Sequence, residues 1–294
     1  MARKLAKVVV GIDGSEAAAK ALQWVTNKGH IFGDVTPVTA YQIPVNFDLM
    51  TRPPTGVDLA VYRDAADARL TRTVTEAAPQ LLDRATLINS RPGVGLVDAA
   101  ANSDLLVVGT TGHNALAAAL LGSTSTYCVN HSGVPVALIP PTWNPEKPLS
   151  TVVVGMDGSQ HANDALRWVM QNVAPHLGSE GKIVALGAVS VWGYMETGYE
   201  PPLADLQARL EETIRRSVSE IVGPFHDGPM IEIVTDPRDA RVALRDTAET
   251  EGDLLVVGAR GLSGVAHLLL GSVATALAHH PTVPTIVVPI ESED

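Results

Sequence analysis

Two stretches of the chain, DLLVVGTTG at 104–112 and DLLVVGARG at 253–261, carry its strongest structural signal. Each begins with an unbroken apolar run, which is typical of a strand covered on both faces, and each ends in two glycines three residues apart. Aligned without gaps, 104–136 and 253–285 are identical at 16 of 33 positions, and 8–25 and 152–169 at 12 of 18. Repetition over such lengths indicates two copies of one structural unit.

The two copies are joined by PPTWNPEKPLS at 140–150. Proline cannot continue a helix or a central strand, so this stretch is typical of a linker. The sequence therefore predicts a first domain at 1–141, a linker at 142–150 and a second domain at 151–294.

Within each copy, apolar β-branched runs alternate with stretches of helical pattern. The strands predicted for the first copy are Lys7–Ile12, Val35–Tyr41, Ala85–Asn89, Leu105–Val108 and Pro135–Ile139. Such alternation gives a parallel sheet with right-handed crossovers. We therefore predict an α/β protein with two tandem flavodoxin-like (Rossmann-like) domains, each a five-stranded parallel sheet with helices on both faces.

Ligands of such sheets bind beyond the carboxyl ends of the strands, where the strand order reverses. In the expected flavodoxin-like order 2-1-3-4-5, that point lies next to the first strand. The loops with unusual residues follow the first strand (GIDGS at 11–15) and the fourth strand (from Gly109) of the first copy. These two loops would open on one crevice if their strands are neighbours.

Composition excludes several kinds of protein. The 294 residues are 46% hydrophobic and 18% charged, which indicates a globular chain. A net charge of −11 disfavours nucleic acid and anionic membranes as partners. Cys128 is the single cysteine, so no intrachain disulfide is possible. The apolar run before Gly11 is too short for a secretory signal or a membrane span, so we expect a cytoplasmic protein.

The glycine spacing suits the binding of phosphate. Gly109 and Gly112 are followed after nine residues by Gly122-Ser123, and the second copy repeats this spacing to the residue. Glycines let backbone N–H groups approach an anion and adopt positive φ, and a helix that begins at the serine adds the positive end of its dipole. Such a nest of N–H groups binds phosphate without the lysine of a Walker loop, which this chain lacks.

At these residues the chain resembles the ATP-binding universal stress proteins. The glycine spacing, the Gly-x-Asp-Gly-Ser after the first strand and the closing Val-Pro strand carry the resemblance, which covers essentially the whole chain as two copies. It implies a nucleotide-binding regulator of stress response or growth, with ATP as ligand, Mg²⁺ carried only by the phosphates, slow hydrolysis or none, and self-association into a homodimer. Domains of this family pair, often through the last strand, so Pro135–Ile139 and Val283–Val288 are expected to pair within this chain.

The resemblance also implies which residues bind the nucleotide. The aspartate after the first strand contacts the adenine side, the glycines after the fourth strand hold ribose and phosphates, and the Gly-Ser at the helix start closes on the phosphates. The candidate residues of the first copy are Gly11, Asp13, Gly109, Thr110, Thr111, Gly112, Gly122, Ser123 and Thr124. Those of the second copy are Gly155, Asp157, Gly258, Ala259, Arg260, Gly261, Gly271, Ser272 and Val273.

The glycine loops of the two copies differ in charge, because Thr111 of the first copy aligns with Arg260 of the second. An arginine supplies a charge-assisted contact to phosphate, so we expect firmer binding in the second copy. Structural alternatives stay open. The glycines could serve only tight turns, Asp13 and Asp157 could only cap helices, and Arg260 could pair with a surface carboxylate.

Two other functions remain open at this point. One is a scaffold, with empty or AMP-binding sites, that acts through the divergent loops at 42–56 and 192–202. The other is a slow ATPase or adenylate-transfer enzyme, against which the lack of a visible base or lysine counts. No residues show the spacing of a metal site or of a nucleophilic triad.

Overall fold

The computed structural model of the chain describes residues 5–43, 60–111, 121–178, 180–189, 202–223, 228–262 and 270–290. Along these residues the strands are β1 (Leu5–Gly11), β2 (Phe32–Tyr41), β3 (Thr86–Asn89), β4 (Leu105–Gly109), β5 (Val136–Ile139), β6 (Thr151–Gly155), β7 (Lys182–Ala188), β8 (Met230–Asp236), β9 (Leu254–Gly258) and β10 (Thr285–Val288). The helices are α1 (Glu16–Asn27), α2 (Ala60–Ala77), α3 (Pro92–Ala100), α4 (Ser123–His131), α5 (Gln160–Asn172), α6 (Leu203–Val222), α7 (Ala240–Glu251) and α8 (Ser272–His279).

All of these strands belong to one sheet, in the order β3-β2-β1-β4-β5-β10-β9-β6-β7-β8. Neighbouring strands within each half are parallel. The halves join where β5 pairs with β10 in antiparallel register, with Thr285 opposite Leu138 and Val287 opposite Val136. The expected pairing of the two last strands within this chain is therefore confirmed.

The order within each half is 3-2-1-4-5, which differs from the expected 2-1-3-4-5. The crossover from β2 to β3 continues outward from β1, so β3 forms the edge and β4 takes the place beside β1. Buried strands show the same apolar pattern wherever they lie in a sheet, so the sequence carries no signal for this choice. The two loops with unusual residues can still open on one crevice in each half, because the strands before them are neighbours: β1 lies beside β4, and β6 lies beside β9.

Helices cover both faces of the sheet, as the alternating pattern predicts. In the first half α1 packs beside α2 on one face and α3 beside α4 on the other, and the second half repeats this with α5 beside α6 and α7 beside α8. Aliphatic residues fill the core, and β4, β5, β9 and β10 are almost completely buried. No helix among the described residues is long and apolar enough to cross a membrane.

The proline-rich join between the halves is packed against the protein. Trp143 is buried, and Lys28 donates a hydrogen bond to the carbonyl of Pro145 at 3.1 Å. From the second half, Asp253 pairs with Lys147 at 2.7 Å and accepts hydrogen bonds from the N–H groups of Ser150 and Thr151, each at 2.9 Å. Residues of both halves thus hold the segment that connects them.

Candidate functional site

A cleft opens in each half where the strand order reverses. The first cleft, of about 570 Å³, lies beyond the ends of β1 and β4. The second cleft, of about 350 Å³, lies beyond β6 and β9. Both volumes fall in the usual range for small-molecule sites. The loops that the sequence analysis singled out therefore face the same space in each half.

Most of the candidate residues line these clefts. In the first cleft they are Gly11, Asp13, Gly109, Thr111, Gly122, Ser123 and Thr124. In the second they are Gly155, Asp157, Gly258, Arg260, Gly261, Gly271, Ser272 and Val273. Gly112 lies outside the described residues.

Thr110 and Ala259 are placed behind the cleft walls. Each is buried and continues the sheet by one residue, since the N–H of Thr110 donates to Ile139 and that of Ala259 donates to Val288. Their carbonyl oxygens accept from the N–H groups of Gly122 and Gly271, at 2.8 Å in both cases. These two residues anchor the start of the following helix, so we do not place them among the ligand contacts.

Asp13 and Asp157 shape the loops after β1 and β6. Each carboxylate accepts a hydrogen bond from the N–H of the serine two residues later, at 3.0 Å from Ser15 and 2.9 Å from Ser159. These serines are the N-caps of α1 and α5. The second oxygen of Asp157 also accepts from the N–H of Leu262 at 2.9 Å, which ties the two loops of the second cleft together.

The glycines have two distinct structural roles. Positive φ, which glycine adopts without strain, occurs at Gly14 (φ +83) and Gly158 (φ +81), directly after the aspartates. Gly109 and Gly258 do not have positive φ. A β-carbon at Gly109 would lie 2.7 Å from the backbone of Ala17, and one at Gly258 would overlap the carbonyl oxygen of His161. The expected positive φ is therefore absent at the strand ends, where glycine instead lets a helix pack closely.

The helix starts leave backbone donors free at both clefts. In α8 the first intrahelical bond runs from the N–H of Thr275 to Gly271, and no side chain caps the helix. The N–H groups of Ser272, Val273 and Ala274 precede that bond and stand at the cleft. α4 begins in the same way after Gly122. Free N–H groups at the positive end of a helix dipole attract an anion.

Arg260 adds a positive charge to the second cleft. Its side chain lines the cleft, and its buried Nε has no hydrogen-bond partner among the residues that the structure describes. No ion pair joins it to a carboxylate in that part of the chain, so the surface-carboxylate alternative has no support there. A buried guanidinium N–H without a partner is costly, and a bound anion would supply the acceptor.

Apolar residues form another part of the wall of each cleft, and no motif in the sequence marks them. They are Val38, Ala40 and Leu96 in the first cleft and Leu186, Ala188 and Leu244 in the second. They lie in β2 and β7 and in the first two turns of α3 and α7, and in the sequence they look like ordinary core. Only the fold brings them beside the glycine loops.

No group of three or more His, Cys, Asp or Glu side chains that could hold a metal ion occurs within the described residues. The histidines at the ends of α4 and α8, His131, His279 and His280, do not line either of the two clefts. His131, for example, stacks on Tyr127 with ring centroids 4.0 Å apart and contacts the Tyr127 carbonyl.

Comparison with known proteins agrees with the duplicated fold. The sequence profile of the Universal stress protein family matches residues 4–140 and again 148–289. Universal stress protein Rv2005c of Mycobacterium tuberculosis is 30% identical over 299 aligned residues, which cover 97% of both chains. Universal stress protein Rv2623 of the same organism is 26% identical and covers 95% of both.

Among solved structures, a universal stress protein from Archaeoglobus fulgidus aligns with 96% of this chain and 98% of its own length. The TM-score is 0.66 at 19% sequence identity, so this likeness concerns the fold. Because the family profile covers nearly the whole chain in two copies, the chain belongs to the universal stress protein family.

Proposed function

We propose that the chain binds ATP in each of its two clefts and acts as a nucleotide-dependent regulatory protein of stress response or growth. The observation that carries the proposal is the second cleft. Arg260 with its unpartnered Nε and the free N–H groups at the start of α8 face one space. Such donors suit the phosphates of a nucleotide, because charge-assisted hydrogen bonds to phosphate oxygens are among the stronger ones in proteins.

The apolar wall of each cleft supports the choice of a nucleotide over a simple anion. Leu186, Ala188 and Leu244 form a surface on which a flat base can pack, and Asp157 lines the same cleft. An adenine nucleotide has a flat aromatic base, whose faces pack on apolar side chains, and a polyanionic tail, which matches the two sides of the cleft. Where Mg²⁺ accompanies ATP, we propose that the phosphates carry it.

The proposal also includes a cytoplasmic location and self-association into a homodimer. The net charge of −11 disfavours nucleic acid and anionic lipid as partners, because like charges repel. Small nucleotides remain accessible because each cleft carries local positive potential from a helix start.

Isothermal titration with ATP and with adenosine tests the proposal. We expect about two ATP per chain, and binding at least about tenfold tighter than that of adenosine, because adenosine lacks the phosphates. Gly261→Ala should remove one of the two sites, since its β-carbon would overlap the Asp157 carboxylate in the second cleft. Gly133→Ala is the matched control, because no atom lies within 4 Å of a β-carbon there. Absence of ATP binding, or equal affinity for adenosine, would contradict the proposal.

A further inference from the structure

The first cleft has a cation that the glycine pattern does not reveal. Arg69 of α2 is half-buried and lines this cleft together with Asp13, Ser123 and Thr124. Its aliphatic stem crosses the loop after β1: a β-carbon on Gly14 would lie 3.2 Å from Cδ of Arg69 and 3.5 Å from Cβ and Cγ. Arg69 therefore reaches this cleft from α2, over the loop after β1, and not from the glycine loop after β4.

The guanidinium of Arg69 is available to a ligand. Among the described residues it makes no hydrogen bond and no ion pair. Other arginines of this acidic chain do pair: Arg215 lies 2.6 Å from Glu211, and Arg238 and Arg241 lie 2.8 Å from Asp236 and Asp239. A guanidinium that stays unpaired beside a cleft can bind an anionic group through several N–H donors.

The second half has a threonine at the position that corresponds to Arg69. Gly14 corresponds to Gly158 and Arg69 to Thr213 at the same offset, and a β-carbon on Gly158 would lie 2.6 Å from Cγ2 of Thr213. Thr213 donates its hydroxyl to the carbonyl of Arg209 at 2.9 Å, so that hydroxyl is used within α6.

At the glycine loop the residues are exchanged, since Thr111 corresponds to Arg260. Each half thus has one arginine and one threonine at these two positions, in reversed order. Among the described residues, one cation lines each cleft: Arg69 from α2 in the first and Arg260 from the loop after β9 in the second.

We propose that Arg69 is the phosphate-binding cation of the first cleft and does there what Arg260 does in the second. This inference rests on the proposed function, because it assigns the charge contact of the same nucleotide sites. It gives a reason to expect similar affinities at the two sites, because an arginine lines the first cleft as well. Both clefts hold the anionic part of the ligand between a guanidinium and a helix start.

Titrations of four proteins with ATP and adenosine test the inference: the wild type, Arg69→Gln, Arg260→Gln and the double variant. Arg69→Gln should weaken ATP binding at one site by about 10- to 100-fold, the loss expected for one charged hydrogen-bonding contact, and leave adenosine affinity nearly unchanged. Arg260→Gln should do the same at the other site, and the double variant should be weakened at both sites, with only the N–H groups at the helix starts left to favour ATP over adenosine.

Two further variants separate charge from structure. Arg72→Gln alters an exposed arginine of the same helix that does not line the cleft, and it should change nothing. Adding Thr111→Arg to Arg69→Gln should restore the lost site, because the guanidinium then comes from the loop, as in the second cleft.

The outcomes also separate this inference from the proposed function. If the wild type binds two ATP and Arg69→Gln leaves both affinities intact, the assignment of Arg69 is wrong while nucleotide binding stands. The assignment is also wrong if Arg69→Gln weakens adenosine and ATP binding equally, or if the wild type has a single site that only Arg260→Gln removes. If the wild type binds no nucleotide, the proposed function fails, and this inference fails with it.

Discussion

At the scale of single residues, the two roles of glycine decide which substitutions matter for stability. Gly14 and Gly158 require their positive φ, whereas Gly258 is required because α5 packs against the end of β9. The spacing of the glycines located both loops in the sequence. It did not distinguish backbone freedom from close packing, because that distinction depends on a helix more than 90 residues away along the chain.

Gly258→Ala should destabilise the protein by about 1–3 kcal/mol, the usual cost of an overpacked core. Its β-carbon would overlap the carbonyl oxygen of His161, and backbone cannot move aside as cheaply as a side chain. Urea denaturation measures the loss. Gly133→Ala, with open space around the new methyl group, should stay within about 0.5 kcal/mol of the wild type. Equal stability of both variants would show that the packing at Gly258 is looser than described.

At the scale of helices and strands, the N-caps were the most predictable feature. Ser15 and Ser159 accept hydrogen bonds from the N–H groups of Ala18 and Ala162, at 3.1 and 3.2 Å. A serine before a helical pattern signals this locally, so the sequence sufficed. The order of the strands was not predictable, since a buried strand has the same composition at any position in the sheet. The exchange of arginine and threonine between the two clefts was also not predictable, because Arg69 lies on a helix far from the glycine loop.

Ser159→Ala should lower the free energy of unfolding by about 1 kcal/mol, because one N–H at the start of α5 loses its partner. Ser219→Ala on the exposed face of α6 is the control and should be neutral or slightly stabilising, since alanine is the better helix former. Thermal or urea unfolding compares the two. A Ser159→Ala protein as stable as the control would mean that the cap contributes nothing.

At the scale of the whole molecule, the join between the halves is a structured contact, although its sequence is typical of a flexible linker. Lys28, Trp143 and Asp253 come together from three distant parts of the chain. Proline content predicted a linker at 142–150. It could not predict that Trp143 is buried there as part of the hydrophobic core, because burial depends on how the rest of the chain folds. The antiparallel β5–β10 pair joins the two homologous halves into one continuous sheet. The packed join is a second contact between the halves.

Burial lowers the pKa of Lys28 to about 8, even though the nearby Asp253 carboxylate acts to raise it. In the unfolded chain the pKa returns to about 10.5, so between these values the unfolded state binds more protons. The contribution of Lys28 to the free energy of unfolding therefore rises with pH from about 8 to 10.5 and is constant below that window.

Lys28→Met provides the comparison for this pH dependence. The stability of the wild type relative to Lys28→Met should increase by roughly 3 kcal/mol between pH 8 and 10.5, as an upper figure. Taking the difference between the two proteins cancels the titration of groups that both share. Urea denaturation at several pH values measures it. A difference that does not change with pH would show that the amine is solvated in the folded protein.

The proposed function requires that both halves hold an adenine nucleotide, each through one arginine and one helix start. The most direct test denatures freshly purified protein and identifies the released nucleotide by chromatography, with Arg69→Gln and Arg260→Gln alongside the wild type. We expect about two ATP per chain for the wild type and about one for each variant. No nucleotide released from the wild type, and none taken up on titration, would contradict the claim.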